Sequence, residues 1–426
     1  MMAAVQGKLT RLWKENSSYA LAAGSGVIAP AIGLLTAPIL TRLYSPAEFG
    51  VLGSFAAILA AALSVANLRY DAAVPLPKSD EEAYSLAMAA IRIGIGASVV
   101  ITLLFIGFAP VIFDAAMTKA LMPNVWWLPI AVILAATTQV LTQFAVRRGA
   151  FGELATARLV QGVTGPVVQV AAGVAGIGVV GLLIGQAASQ SGGLLRLWRS
   201  ARAVRENFST VPPSGPLLKR YERFPRIALL PAFLNAFGLQ LPILVIGQMH
   251  GLAAAGLIAL VLRIMGTPIN IFSSAGTQVL LSEGARVRRE GGATSQLLKE
   301  NLRRQILVYA PIFAATPLLP WLFPKFFGAN WADAGRYAVL LVPALLLGGM
   351  MGPSGVMLDL YERQDLHLIR EVMRVAILFA AVFAAKLAGG TMWAIVAAVS
   401  AAFAINSVIG YAMAWRVSSR AGKHVA

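Results

Sequence analysis

The side chain best suited to chemistry is an arginine inside a long apolar segment, in the stretch LVLRIMGTPINIF (260–272). It is the only ionisable residue in 252–282. At about 1.5 Å per helical residue, Arg263 would lie roughly 20 Å from His250 and roughly 30 Å from Glu283. A charge that faces lipid costs several kcal/mol. The stem of an arginine side chain is too short to carry the guanidinium to an interface from about ten residues inside a helix. We therefore expect Arg263 to face a hydrated cavity and to bind phosphate or carboxylate oxygens.

Other polar residues join Arg263 in the candidate binding site. Asn270 follows Arg263 by seven residues and so shares its helix face. Asn235 and Gln240, in the preceding apolar segment, complete the densest polar group in the membrane segments. Arg69, at the end of the second apolar segment, is a further candidate cation, with an alternative role as an interfacial anchor paired with Asp71.

The residue types and spacings argue against catalysis. The three histidines, His250, His367 and His424, are not spaced as metal ligands, and the chain has no cysteine. No nucleophile–base pair is visible, and the GSG at 24–26 lacks the context of a phosphate-binding loop. No Asp or Glu falls within the core of a predicted span, so no intramembrane carboxylate relay is visible. We predict a protein that is not an enzyme and needs no cofactor or metal.

Composition shows which elements must position these residues. Hydrophobic residues make up 58% of the chain, charged residues 12%, and the mean hydropathy is +0.74. Soluble domains carry about a quarter charged residues, so this is the composition of an all-α protein that crosses a membrane many times. The net charge of +17 would suggest nucleic acid in a soluble protein; here it is better explained by basic cytoplasmic loops, and no nucleic-acid partner is expected.

Hydropathy predicts about twelve membrane-spanning helices, and the positive charges give their orientation. With both termini in the cytoplasm, 29 of the 35 Lys and Arg residues lie in cytoplasmic segments and five in outer ones, with Arg263 in a span. Such a bias is the pattern of the positive-inside rule. The predicted spans are 18–40, 49–68, 85–112, 125–145, 159–178, 179–195, 227–248, 253–281, 306–323, 337–358, 375–390 and 392–414.

The longest cytoplasmic segment divides the chain into two sets of six spans. We predict an N-terminal six-helix lobe (1–195), a basic cytoplasmic connection (196–226) and a C-terminal six-helix lobe (227–426). The middle of the connection, NFSTVPPSGPLL, has the Pro and Ser content of a linker. Because each set has an even number of spans, the lobes would be parallel repeats related by an axis along the membrane normal.

Several stretches give the chain a family resemblance. They are TRLYSPAEFGVLGSF (41–55), LRYDAAVPLPKSDEEA (68–83), RFPRIALLPAFLNAFGLQLPILVIGQ (223–248), LRIMGTPINIFSSAGTQVL (262–280) and FGANWADAGRYAVLLVPALL (327–346). In order and spacing the chain resembles the polysaccharide transporters, the Wzx-like O-antigen and exopolysaccharide flippases of the multidrug/oligosaccharidyl-lipid/polysaccharide exporter superfamily.

The resemblance implies a structure and an activity. Two six-helix lobes would surround a central cavity in the bacterial inner (cytoplasmic) membrane. The protein would move polyprenyl-diphosphate-linked oligosaccharide from the cytoplasmic to the periplasmic leaflet by alternating access, for surface polysaccharide biosynthesis. Its partners would be that lipid-linked glycan, membrane lipids and other polysaccharide-assembly proteins.

Three alternatives remain open at this stage. The first is an ion-coupled multidrug exporter of the same superfamily, which should carry an acidic residue within a lobe to bind a cationic drug or ion. The second is a membrane glycosyl- or acyltransferase, which would need His, Asp or Glu clustered at one membrane face. The third is a scaffold subunit without transport activity.

Overall fold

The computed structural model describes residues 24–290, 292 and 294–421, which are almost entirely helical and contain no β-strand. This confirms the predicted all-α fold. The helices are α1 (Gly24–Leu43), α2 (Pro46–Ala66), α3 (Asp80–Ile112), α4 (Ala115–Leu121), α5 (Trp127–Arg147), α6 (Phe151–Val174), α7 (Val179–Ser191), α8 (Leu194–Arg205), α9 (Ser214–Arg220), α10 (Leu229–Arg289), α11 (Ser295–Ala315), α12 (Leu319–Phe327), α13 (Ala332–Met351), α14 (Val356–Leu360), α15 (Gln364–Leu387) and α16 (Met392–Ala421).

Each predicted span coincides with a helix, apart from the start of 18–40, which lies outside the described residues. Within the described ranges, eight helical segments are long and apolar enough to cross a membrane. One of them, Phe224–Arg289, holds two predicted spans, separated by the non-helical backbone of Gly251. The spans 159–178, 179–195 and 375–390 fall on α6, α7 and α15, which do not meet those limits of length and composition.

One compact unit comprises residues up to Tyr44 together with Phe55–Phe233. Its core includes side chains from the predicted connection, since Leu197, Ala201 and Leu217 are buried among residues of α3, α5 and α6. Ser85 also donates a hydrogen bond to the backbone oxygen of Pro212 at 2.7 Å. The segment 196–226 has the composition of a linker, but its apolar side chains make it part of this core.

The other compact unit comprises Ser45–Ser54 and Leu234–Ala426. The start of α2 packs on α10 in this unit through backbone-to-backbone contact. A Cβ atom at Gly256 would lie 1.8 Å from the backbone oxygen of Pro46, and one at Gly50 would lie 1.9 Å from that of Leu252. Only glycine allows this approach, which is the means by which membrane helices gain close packing.

The contact predicts the effect of one added methyl group. Gly256→Ala should destabilise the protein by about 1–3 kcal/mol or prevent its folding, because the methyl group meets a backbone carbonyl that cannot rotate away. Gly266→Ala is the matched control in the same helix, where the nearest atom would be 4.0 Å away, and should leave stability unchanged or raise it by about 0.4–1 kcal/mol. Thermal unfolding in detergent measures both, and equal melting temperatures for the two variants would contradict the contact.

Candidate functional site

A row of polar side chains runs along one face of the second half of α10. Arg263, Thr267, Asn270, Ser274 and Gln278 follow one another at intervals of three or four residues, so they share a helix face. Arg263 and Thr267 are half-buried and the other three are exposed. We call these five residues the polar row. From end to end it covers about 22 Å of the helix axis, and its surface suits water better than lipid.

Apolar residues on other faces of the same helix are buried. Ile264, Ile269 and Leu280 are all less than 9% exposed, and Ile269 also accepts a hydrogen bond on its backbone oxygen from the hydroxyl of Tyr309 at 2.8 Å. This packing fixes the rotation of α10 within its unit. The rotation in turn presents the polar row on the uncovered face.

The hydroxyl groups of the polar row are used locally. Thr267 donates to the backbone oxygen of Arg263 at 2.7 Å, and Ser274 donates to that of Ile271 at 2.8 Å. The longer side chains of Arg263, Asn270 and Gln278 therefore carry the N–H groups suited to a ligand. A guanidinium and two amides can together donate to phosphate or sugar oxygens.

Asn235, which the sequence groups with Arg263, is bound by a different arginine. Both terminal nitrogens of Arg374 donate to Asn235 Oδ1, at 3.2 and 3.1 Å. Arg374 also forms an ion pair with Glu371, which accepts a second hydrogen bond from Arg370 at 2.9 Å. Gln240 is half-buried in the same half of α10. The polar group of the C-terminal half thus includes a buried ion network as well as the polar row.

This network corrects the sequence analysis on one point. The predicted span 375–390 excludes Glu371, but α15 begins at Gln364, and Glu371 is 2% exposed within it. The charged stretch LIREVMR lowers the mean hydropathy before residue 375, so hydropathy alone does not extend the span to Glu371. The spacing of Glu371 and Arg374, three apart on one helix, is the signal that would have indicated a pair.

Arg69 lies in a strained turn of the other unit. Leu68 and Arg69 both have left-handed backbone conformations, with φ angles of 47° and 62°. Each is unfavourable for a residue other than glycine, and such strain clusters at functional sites. Arg69 Nε is buried and has no hydrogen-bond partner within the described residues. The turn holds the cation in place at the end of α2.

Asp71, the predicted partner of Arg69, is bound elsewhere. It is buried, and its Oδ2 accepts a hydrogen bond from Gln139 Nε2 at 2.8 Å. Next to it, burial and the nearby carboxylate of Glu222 raise the pKa of Tyr70, an effect that Arg226 partly offsets. The neutral Tyr70 hydroxyl is close to the backbone of α9. The ion pair proposed as an alternative role for Arg69 is absent from the described residues.

The chain can be assigned to a sequence family. Residues 39–336 match the model of the family described as polysaccharide biosynthesis protein. The chain belongs to this family. The match covers most of the chain and confirms the resemblance seen in its motifs. No curated protein sequence is significantly similar to the chain.

Solved structures of transporters have the same fold as this chain. The lipid II flippase MurJ in an inward closed conformation matches with a TM-score of 0.70 and 12% identity, over 95% of this chain and 91% of that chain. An inward-facing multidrug resistance MATE family transporter of the MOP superfamily matches with a TM-score of 0.59 and 18% identity, over 96% and 95%. The Vibrio cholerae MATE transporter VcmN gives 0.56 and 12%, over 95% and 98%. The chain therefore has the fold of the MOP flippases and exporters.

In the part of the chain that the structure describes, acidic and histidine side chains do not gather into a metal site. Among the described residues, no group of three or more His, Asp or Glu is arranged to hold a metal ion. The buried acidic residues Asp71 and Glu371 are each bound by amide or guanidinium groups of the chain.

Removal of the charge on Glu371 tests the buried network. Glu371→Gln should lower the free energy of unfolding by about 3–5 kcal/mol, because it leaves the buried guanidinium of Arg374 and the partly buried one of Arg370 without a counter-charge. Asp365→Asn, on the same helix, removes a partner of the exposed Arg363 and should change the melting temperature little. Thermal unfolding in detergent compares them, and a Glu371→Gln protein as stable as Asp365→Asn would show that the network does not stabilise the fold.

Proposed function

We propose that this protein is a flippase that moves a polyprenyl-diphosphate-linked oligosaccharide from the cytoplasmic to the periplasmic leaflet of the bacterial inner membrane. Its family membership gives the process, polysaccharide biosynthesis, and its fold is that of flippases and exporters. The polar row on α10 is the observation that carries the proposal. It combines one permanent cation with amides on an uncovered face of a membrane helix.

The chemistry of the row suits the two parts of such a substrate. A diphosphate carries concentrated negative charge, which a guanidinium binds with directed hydrogen bonds. A glycan presents hydroxyl groups, which amides such as those of Asn270 and Gln278 can bind as donors and acceptors. The polyprenyl tail is apolar and is soluble in the bilayer, so it needs no polar path. Arg69 serves as the cytoplasmic receiving cation, and Asn235 and Gln240 extend the polar surface.

The transport cycle follows alternating access between the two lobes, which we take as 1–195 and 227–426 joined by 196–226. Both termini then lie in the cytoplasm. The process is translocation rather than bond chemistry, so the protein acts without a cofactor. Other polysaccharide-assembly proteins supply the substrate and consume the product.

An ion-coupled multidrug exporter is the second candidate, since MATE transporters share the fold. It would need an acidic group available to a cationic drug or ion. A multidrug exporter could use the buried Glu371 as that acid, but Arg370 and Arg374 already bind it. The arginine-centred row favours an anionic substrate.

Replacement of Arg263 tests the cationic path. Arg263→Ala should reduce translocation of a diphosphate-linked glycan in reconstituted vesicles at least tenfold, because no other ionisable side chain lies in 252–282 to replace the lost charge. Arg263→Lys keeps the charge but not the planar fork, and should retain an intermediate rate.

The control for Arg263 is Arg286→Ala in the same helix, where the removed cation is exposed and pairs with Glu290 at 3.1 Å. This variant should transport at the wild-type rate. Protein content of the vesicles and melting temperature are measured for each variant. An Arg263→Ala protein that is folded, reconstituted and fully active would overturn the proposed path.

The left-handed backbone at Arg69 allows the charge of this residue to be tested separately from its backbone conformation. Asn adopts the left-handed conformation more readily than other non-glycine residues, so Arg69→Asn should preserve or raise the melting temperature while it removes the cation. We expect translocation to fall several-fold in Arg69→Asn and to be largely kept in Arg69→Lys. If both variants transport normally, Arg69 is an interfacial anchor and not a substrate contact.

A further inference from the structure

Helix α8 presents an unusual exposed face, independent of the polar row. It carries four arginines and no acidic residue in the sequence LLRLWRSARAVR. Leu197 and Ala201 are buried in the core of the first unit, which fixes the rotation of the helix. The opposite face presents Arg196, Arg199 and Arg202, all exposed.

Large apolar side chains lie on that same exposed face. Leu195 is 60% exposed and Trp198 is 40% exposed. Leu195 is four residues from Arg199, and Trp198 is four residues from Arg202, so each lies one turn from an arginine of this face. A surface that faces water only would have no use for exposed Leu and Trp beside three arginines. A surface inside the hydrocarbon would not carry the arginines. Mixed Trp, Leu and Arg is the composition of a helix at the membrane–water interface.

The length of the preceding helix puts α8 at that depth. Helix α7 has 13 residues, which cover about 20 Å, whereas the hydrocarbon core of a bilayer is about 30 Å thick. Two glycines then turn the chain directly into α8. Gly193 has a φ of 80°, and a Cβ there would lie 2.5 Å from Ala157 of α6. The chain has no length in which to leave the membrane before α8 begins.

The arginines of this face have little to bind within the protein. Arg196 and Arg199 form no ion pair or hydrogen bond among the described residues. Arg202 has only a 3.9 Å contact with Glu206, in which both side chains are more than two-thirds exposed. Such an exposed pair contributes little. Three guanidinium groups at headgroup level are therefore available to phosphate oxygens.

We propose that α8 is an interfacial helix that binds anionic phospholipid headgroups through Arg196, Arg199 and Arg202, with Leu195 and Trp198 set among the upper acyl chains. The predicted topology puts this leaflet on the cytoplasmic side, whose surface carries anionic lipids that attract basic residues. The proposal concerns resident membrane lipid and does not depend on which substrate the protein moves.

The absence of cysteine from the chain makes a site-specific test direct. Ala203→Cys on the exposed face of α8 takes a polarity-sensitive fluorophore in the full-length protein, which is reconstituted into vesicles of phosphatidylcholine alone or with one-third phosphatidylglycerol. We expect a blue-shifted, membrane-like emission that is stronger with phosphatidylglycerol. Leu195→Gln combined with Trp198→Gln should shift the emission toward that of water, because it removes the inserted side chains.

Lipid retention through detergent purification tests the charges separately. Replacement of Arg196, Arg199 and Arg202 by Gln should reduce the phosphatidylglycerol bound per protein, measured by native mass spectrometry, at least fivefold. The matched control replaces Arg286, Arg288 and Arg289 by Gln, three exposed cations at the end of α10, and should change it less than twofold.

Three outcomes would overturn the proposal. They are a water-like emission from the label in both vesicle types, equal loss of phosphatidylglycerol in the two triple variants, and unchanged lipid retention in the α8 variant. The last two would assign this face to the aqueous phase or to an acidic protein. Each readout is independent of translocation, so a failure here leaves the flippase proposal standing.

Discussion

The structure depends on one constraint: a polar group within the protein core or the bilayer needs a partner in the protein or contact with water. The second unit meets this constraint in two ways. Glu371 and Arg374 are buried together as an ion pair, Arg374 also donates to the exposed Asn235, and Tyr309 donates to a backbone carbonyl. In the polar row, Asn270, Ser274 and Gln278 are exposed, so water or a polar substrate can reach them. The first kind of group stabilises the fold, and the proposed function assigns the second kind to transport.

Two arginines show how local sequence decides between these roles. Arg374 has a carboxylate three residues before it, and the two side chains are buried together. Arg263 lies in a helical stretch of about 45 Å with no other ionisable residue. A buried cation with a carboxylate partner is part of the packing, and its removal should be felt as lost stability. A cation placed far from any acid of its own helix is suited to an anionic ligand that binds and then dissociates.

The sequence predicted the helices well because apolar length and the positions of basic residues are properties of short segments. It also predicted that Arg263 and Asn270 share a face, since a single helix has fixed periodicity. It missed the link between Asn235 and Arg374, which are 139 residues apart and meet only through tertiary packing. It likewise missed the burial of Leu197 and Leu217 in segment 196–226, because Pro and Ser content describes the backbone of a segment and says little about where its apolar side chains pack.

The distribution of cations suits the proposed flippase function, in which a carrier must be bound and then released. A site with several guanidinium groups around a diphosphate would hold it too tightly to let it leave, since binding along a path must be weak enough at each point for exit. The polar row has a single guanidinium, and its remaining members are amides and hydroxyls. Neutral groups can bind a glycan through many exchangeable hydrogen bonds without fixing it in place. On the cytoplasmic side, where attraction rather than release is needed, the predicted topology concentrates most of the positive charge.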